Sequence, residues 1–151
     1  MNKLIETPYM DLALDEAKKA FMIDEVPVGA VISYKNMPLA SSHNLLRSNT
    51  DPTAHAEILV IRQAAQNLKS SYLNECDIYV TLEPCPMCAQ AISFAKIRSL
   101  YFGAYDIKYG GVENGPCIFN SSSSHYKPQI FGGIKENESQ QLLSKFFAKK
   151  R

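Results

Sequence analysis

The sequence has no strong excess of either charge. Its 16 Lys and Arg residues nearly balance its 15 Asp and Glu residues, which leaves a net charge of +1. A protein that binds nucleic acid through a broad basic surface carries a clear positive excess. Any contact with nucleic acid must therefore come from a local patch of cations.

The sequence also lacks a long apolar segment. No uninterrupted apolar run approaches the roughly 20 residues that span a bilayer. Residues 1–10 include Glu6 and Pro8 and lack the apolar core of a secretory signal. We therefore expect a cytoplasmic protein without membrane association. In that compartment a disulfide framework from the 4 Cys is disfavoured, and closely spaced thiols favour metal binding or catalysis.

What is present is the composition of an ordinary globular protein. Hydrophobic residues make up 46% of the chain and charged residues 21%, and 151 residues are enough to bury one core. The sequence contains no internal repeat and no linker-like segment. We therefore predict a single domain over residues 1–151.

Hydrophobic periodicity divides the chain into helices and strands. Apolar residues at helical spacing predict four helices, at about 7–23, 53–69, 86–96 and 135–150. Short, mainly apolar runs predict strands at 28–34, 38–43, 77–82, 99–104 and 129–131. Residues 105–127 are predicted to be irregular.

The order of these elements predicts the fold class. The first two strands form a hairpin, with Pro38 near the start of an edge strand. The later strand–helix–strand units imply parallel crossovers. We therefore expect an α/β fold, a three-layer α/β/α sandwich with a mixed five-stranded sheet. In such sheets, sites form where strands end and helices begin.

Cys85 and Cys88 lie three residues apart at the start of a predicted helix. This spacing puts both sulfurs on one helix face, and the helix N-terminus favours the thiolates that bind metal. Such a pair alone could also be a redox motif or half of a structural zinc site. A structural site needs two further ligands at similar spacing. The remaining cysteines and two of the histidines are isolated, namely Cys76, Cys117, His43 and His125.

His55 supplies a third ligand, and three protein ligands with one open position are typical of catalytic zinc. Glu57 follows two residues later, an offset that turns side chains about 200° apart on a regular helix. The two can share a site only if His55 lies at the helix start. Candidate caps for that start are Asp51, with Pro52 as the first helical residue, and Thr53. Glu57 could then move protons for a metal-activated hydroxide.

The stretches 55–57 and 84–88 carry a recognisable signature. His55-Ala56-Glu57 and Pro84-Cys85-Pro86-Met87-Cys88 match the H-x-E and P-C-x-x-C pattern of zinc deaminases. Over about residues 7–150 the chain resembles the bacterial tRNA adenosine deaminases of the cytidine/deoxycytidylate deaminase superfamily. The resemblance is closest at 25–31, 51–57, 102–104 and 106–108, and at Asn44.

The resemblance implies a role for each matching residue. His55, Cys85 and Cys88 would bind one Zn²⁺ per subunit, with Glu57 as the catalytic proton shuttle. The implied substrate-binding positions are Val28, Asn44, the backbone at Ala56, and Asp106. The implied reaction is hydrolytic deamination of adenosine to inosine at the wobble position of a tRNA anticodon loop, in a homodimer that needs no nucleotide cofactor. Such a loop is single-stranded, so extruding its base costs little.

Further RNA contacts are expected because cations neutralise phosphates and aromatic rings stack on bases. The candidates are Lys108, Phe147, Lys149, Lys150 and Arg151. The residues alone leave alternatives open. Asn44 and Asp106 also suit turns, and the tail suits a solvated helix end with Phe146 or Phe147 in the core. Alternative functions are deamination of a free base or nucleotide (guanine, cytidine or dCMP) and a non-catalytic, zinc-stabilised binding module.

Overall fold

The computed structural model describes the backbone of residues 3–150 and the side chains of residues 8–150. Over this range the predicted helices and strands are all present. In chain order they are α1 (Lys3–Met22), β1 (Gly29–Tyr34), β2 (Met37–His43), α2 (Ala56–Leu68), β3 (Cys76–Leu82), α3 (Pro86–Ala95), β4 (Ser99–Ala104), β5 (Gln129–Phe131) and α4 (Glu136–Lys149). A single 3-10 turn, Ile118–Asn120, lies between β4 and β5.

The five strands form one sheet in the order β2-β1-β3-β4-β5. Strand β1 pairs antiparallel with β2 and β3, whereas β3 with β4 and β4 with β5 are parallel. The hairpin turn residues Lys35 and Asn36 have positive φ angles of 52° and 60°, which match the twist of the flanking strands. Pro38 lies on the edge strand β2, where a missing N–H can be tolerated. The predicted mixed sheet is confirmed.

Helices cover both faces of the sheet. Helices α2 and α3 pack on one face, around a core that includes Val60, Ile78 and Ile92. Helix α1 packs on the other face, and α4 lies beside it against β4. Phe146 of α4 contacts Phe21 of α1 edge to face. The result is the predicted three-layer α/β/α arrangement. Within residues 3–150, none of the helices is both long and apolar enough to cross a membrane.

Helix α1 begins earlier than the sequence predicts. The predicted start at Thr7, with Pro8 in the first helical position, was wrong, because the helix begins at Lys3 and Pro8 lies inside it. A proline ring fixes φ within the helical range and removes one N–H donor.

A buried carboxylate fixes the loop between β2 and α2. Glu25, just before β1, is 1% exposed. It accepts hydrogen bonds from the backbone N–H groups of Arg47 (3.1 Å) and Ser48 (2.7 Å) and from the Ser48 hydroxyl (2.7 Å). Burial alone would raise the pKa of Glu25, but the hydrogen bonds from Ser48 and Arg47 outweigh it and hold the pKa below its usual value.

Replacing Glu25 by Gln should destabilise the protein at neutral pH by about 1–3 kcal/mol, the range for leaving a buried polar group unsatisfied. A carboxyl with a lowered native pKa contributes stability above its unfolded pKa, and this stability is lost as the pH falls through the native pKa. Urea titrations should therefore show a difference from wild type that is largest near neutral pH and shrinks below about pH 4.5. The exposed Glu75→Gln is the matched control. A loss of equal size at every pH would contradict this account.

Candidate metal centre

Helices α2 and α3 start side by side, and a predicted ligand precedes each of them. His55 is the N-cap residue of α2 and Cys85 is the N-cap residue of α3, both in extended backbone conformation. Neither side chain makes a capping hydrogen bond to its own helix. Both side chains are therefore available to turn towards each other. Cys88 follows in the first turn of α3 and is fully buried.

The spacing of the three side chains fits one metal ion. His55 Nδ1 lies 3.6 Å from Cys85 Sγ and 3.5 Å from Cys88 Sγ, and all three ligand atoms lie within 4.8 Å of one another. A tetrahedral zinc ion with Zn–S of about 2.3 Å and Zn–N of about 2.0–2.1 Å would separate such N and S atoms by about 3.6 Å. The carbonyl of Pro52 accepts a hydrogen bond from the His55 ring. Such a bond fixes the orientation of a metal-binding imidazole.

The charge of the cysteine pair also calls for a cation. A hydrogen bond from Cys88, with a further contribution from His55, lowers the pKa of Cys85 to about 4 in spite of burial. The same bond to Cys85, together with burial, raises the pKa of Cys88. Cys85 therefore ionises more readily than Cys88. A second thiolate requires a positive ion between the sulfurs and the imidazole, which a divalent metal supplies.

Glu57 faces the same point from the first turn of α2. The residue is 4% exposed, and its carboxylate lies next to Cys88. Burial raises the pKa of Glu57 to about 7. Because His55 precedes the helix and does not belong to it, the offset of two residues does not drive the side chains apart. His55 therefore lies at the helix start, which is what a site shared with Glu57 requires.

The cap of α2 differs from the prediction. The predicted start at Thr53 was wrong, since α2 begins at Ala56. Asp51 Oδ1 instead accepts hydrogen bonds from the Thr53 N–H at 2.9 Å and the Thr53 hydroxyl at 2.8 Å, which forms an Asx turn. The N–H of Ala56 donates to Asn44 Oδ1 at 2.8 Å. The helix is therefore capped by a side chain from the far end of the β2–α2 loop, an arrangement without a local sequence signal.

A cavity of about 840 Å³ opens over this centre, within the usual size range of ligand sites. Most of the predicted site residues line it: Val28, Asn44, His55, Glu57, Cys85, Asp106, Lys108 and Phe147. Cys88 and Ala56 are fully buried and lie outside the lining. The structure thus brings the predicted metal ligands, the carboxylate and the predicted base pocket together.

Other wall residues were missed by the sequence reasoning. They are Val26, Leu46, Leu82, Glu83, Tyr105, Ile107, Tyr109, Gln140, Leu143, Ser144 and Ala148. Tyr105 and Ile107 could have been found, because they flank Asp106. Gln140 and Ser144 gave no signal, because the pattern of α4 indicates only which of its apolar residues are buried.

The structure adds constraints to the predicted roles of Asn44 and Ala56. Asn44 already uses its amide oxygen for the cap of α2. Its NH₂ group is therefore the part that can meet an acceptor atom of a bound purine. The N–H of Ala56 is engaged in the same hydrogen bond. The predicted reading of the base by the Ala56 backbone requires an exchange of partner and stays a prediction.

Asp106 is at once a turn residue and a cavity residue. Its Oδ1 accepts hydrogen bonds from the backbone N–H groups of Lys108 (3.2 Å) and Tyr109 (2.9 Å). The interpretation as a turn residue therefore applies, and the contact of Asp106 with substrate stays a prediction.

Helix α4 separates the two tail aromatics. Phe146 is 6% exposed and lies in the core, whereas Phe147 is 47% exposed and lines the cavity. Lys149 Nζ lies 4.8 Å from the ring centroid of Phe21, and Lys150 pairs with Asp24. Neither lysine lines the cavity. Arg151 lies outside the described residues.

Comparisons with known proteins agree with this geometry. The family model of the MafB19-like deaminases matches residues 5–151. The tRNA-specific adenosine deaminase of Agrobacterium fabrum is 50% identical over 145 residues, which cover 96% of this chain and 95% of that protein. The tRNA-specific adenosine deaminase of Rickettsia typhi is 44% identical over 144 residues, which cover 94% of this chain and 97% of that protein.

Solved structures share the fold. One comes from biochemical and structural studies of A-to-I editing by tRNA:A34 deaminases at the wobble position of transfer RNA. It superposes with a TM-score of 0.89 at 50% identity, covering 91% of this chain and 99% of that chain. The guanine deaminase of Nitrosomonas europaea superposes with a TM-score of 0.80 at 20% identity, covering 93% of this chain and 83% of that chain. The second likeness shows the fold alone.

Replacing Cys88 by Ala should abolish metal binding. Removing a residue that is only hydrogen-bonded to a metal ligand already lowers metal affinity by roughly 10- to 100-fold. Removing a ligand itself should therefore lower metal affinity by at least about 100-fold. Metal analysis of the purified variant by mass spectrometry should find far less than one zinc per chain. Thermal unfolding should occur at a lower temperature. Cys117→Ala, outside the triad, should keep its zinc, and stoichiometric zinc in Cys88→Ala would rule out Cys88 as a ligand.

Proposed function

Because the chain belongs to the tRNA-specific adenosine deaminases and matches the MafB19-like deaminase family, we propose that it converts adenosine to inosine at the wobble position of a tRNA anticodon loop. One observation carries the proposal. Glu57 lies beside three metal-ligand side chains under a cavity that extends to exposed aromatic side chains. The match of the family to residues 5–151 supports a single deaminase domain over the chain, and a tRNA substrate implies a cytoplasmic location.

His55, Cys85 and Cys88 are proposed to hold one zinc ion per subunit, because thiolates with imidazole favour that metal. When bound, zinc supplies a nucleophilic hydroxide at neutral pH by lowering the pKa of water to about 7. Glu57 takes the proton of the attacking water and passes it to a ring nitrogen of adenine. It then moves the remaining proton of the added hydroxyl to the amino group, so that the C–N bond breaks, ammonia leaves and the hydroxyl oxygen becomes the carbonyl of inosine. Proton transfer of this kind contributes about 10²–10⁴ to the rate.

The cavity wall is proposed to hold the extruded base. Val28 gives an apolar surface, and the NH₂ group of Asn44 is available for an acceptor nitrogen of the purine. Asp106 is proposed to contact the sugar–phosphate region. Pairing and stacking must be broken before the base can reach the metal, which is easiest in a single-stranded loop.

The mouth of the cavity favours RNA over a free base. Tyr109 is 64% exposed and Phe147 is 47% exposed, although both line the cavity. Flat, exposed rings of this kind can stack on neighbouring bases, which a free nucleobase lacks. Lys108 adds a cation for a phosphate. Lys149, Lys150 and Arg151 are proposed to extend this surface.

The decisive experiment is an inosine assay on an anticodon stem-loop RNA with adenosine at the wobble position. The wild-type protein should form inosine there and not at adenosines of the stem. Glu57→Ala should lower the rate by at least about 10²-fold while keeping its zinc, because it removes the proton shuttle and no ligand. Glu75→Ala, an exposed carboxylate outside the cavity, should leave the rate unchanged.

The alternatives give different results in this assay. Absence of inosine, together with ammonia release from guanine, cytidine or dCMP, would replace the tRNA substrate by a free base or nucleotide. Absence of any deamination would favour the non-catalytic zinc module. A fully active Glu57→Ala variant would refute the role of Glu57 as proton shuttle but not the tRNA substrate.

We also propose that the enzyme is a homodimer that associates through α3. The outer face of this helix exposes Met87 and Phe94, and Phe94 is 69% exposed. Because α3 starts at the ligand Cys85, a second copy on this face would lie near the metal centre. Apolar side chains exposed along one helix face are a common signature of association.

Phe94→Glu should convert the dimer to a monomer. Light scattering coupled to size-exclusion chromatography should give twice the 16.9 kDa chain mass for wild type and a single chain mass for the variant. The control is Met37→Glu, which charges another strongly exposed apolar side chain, on the edge strand. A monomeric wild type would contradict the dimer, and a dimeric Phe94→Glu would contradict the α3 interface.

A further inference from the structure

We propose that Glu83 is a positioning residue that fixes the position of the loop formed by residues 105–114 relative to the metal centre. The proposal deepens the proposed function and rests on it, because this loop carries Asp106. Glu83 directly follows β3 and lies two residues before the ligand Cys85. It is 2% exposed, which is rare for a carboxylate without a specific set of partners.

The partners of Glu83 come from the two ends of the loop. One oxygen, Oε1, accepts hydrogen bonds from the Asp106 N–H at 3.0 Å and from Asn114 Nδ2 at 2.7 Å. The other, Oε2, accepts from three successive backbone N–H groups, those of Val112 (3.1 Å), Glu113 (2.9 Å) and Asn114 (3.1 Å). Five donors thus replace water around one buried carboxylate.

Backbone contacts join the same two segments. The N–H of Gly111 donates to the carbonyl of Pro84 at 2.8 Å, and the N–H of Glu83 donates to the carbonyl of Ala104 at 2.8 Å. A Cβ atom on Gly110 would lie 2.5 Å from Glu83 Oε2, and one on Gly111 would lie 2.5 Å from the nitrogen of Pro86. The loop therefore passes the ligand segment at a distance that only glycine permits.

The other side of the loop faces the cavity. Asp106, Lys108 and Tyr109 all line it, and Asp106 orders the N–H groups of the other two. Glu83 holds the N–H of Asp106 itself. The segment that supplies Cys85 therefore also sets where Asp106 stands, so Glu83 fixes the distance between the reacting centre and the outer substrate contacts. We assign it no contact with the reacting atoms.

The substitution Glu83→Gln keeps the shape but places an NH₂ group against at least two N–H donors, whichever way the amide is turned. We expect the KM for the stem-loop to rise at least 10-fold while kcat changes less than 3-fold, with zinc retained. Hydrogen exchange should become faster at the amides of 106–114 and stay unchanged in α2. The matched control is Glu113→Gln, which removes the same charge from an exposed side chain of the same loop and should change neither quantity.

A double-mutant cycle tests the path through Asp106. If Glu83 acts by placing Asp106, the KM effects of Glu83→Gln and Asp106→Ala should be less than multiplicative in the double variant. If Glu83→Gln does not fold, Asn114→Ala removes one donor to Oε1 and should raise KM about 3-fold with the same local exchange pattern.

Other outcomes overturn the proposal. Loss of zinc in Glu83→Gln, a fall in kcat at constant KM, or fully multiplicative effects would show that the residue acts on the metal segment or on stability. Absence of inosine with wild-type protein would overturn the proposed function instead. Hydrogen exchange would then still decide the role of Glu83 in the loop, since unchanged exchange at 106–114 would refute it.

Discussion

The site depends on the meeting of two helix N-termini, each preceded by a predicted metal ligand that makes no side-chain capping hydrogen bond. His55 and Cys85 occupy the N-cap positions of α2 and α3, and neither bonds to its own helix. Two positive helix ends thus converge on this point, and of the groups gathered there Cys85 has a lowered pKa whereas burial raises the pKa of Glu57. The same convergence lets Glu57 share a site with His55, because the residue pair straddles the helix start.

Much of this centre could be predicted from the sequence because its chemistry is local. The spacing of Cys85 and Cys88 and the offset between His55 and Glu57 are properties of one helix turn. The cap of α2 could not be predicted, because its oxygen comes from Asn44, twelve residues earlier, across a loop. The cap signal at Asp51 was real, but it closes a turn of its own.

The same reasoning explains why both loop anchors were missed. Glu25 and Glu83 are single carboxylates that bind backbone N–H groups more than twenty residues away in sequence. Neither carboxylate belongs to a recognisable motif, because almost every residue type has the same backbone N–H group and the partner positions therefore leave no pattern in the sequence. The fold was easier to predict from the sequence, because helix periodicity, strand periodicity and the hairpin turn are local features. The exceptions were the starts of α1 and α2, where Pro8 and Thr53 gave the wrong boundaries.

Anchoring through backbone atoms has a consequence for the evolution of the cavity. Glu83 holds the 105–114 loop mainly by main-chain N–H groups, so the side chains of Ile107, Lys108 and Tyr109 can change without releasing it. The scaffold and the specificity surface are then separable, and mutations can sample new substrates at little cost in stability.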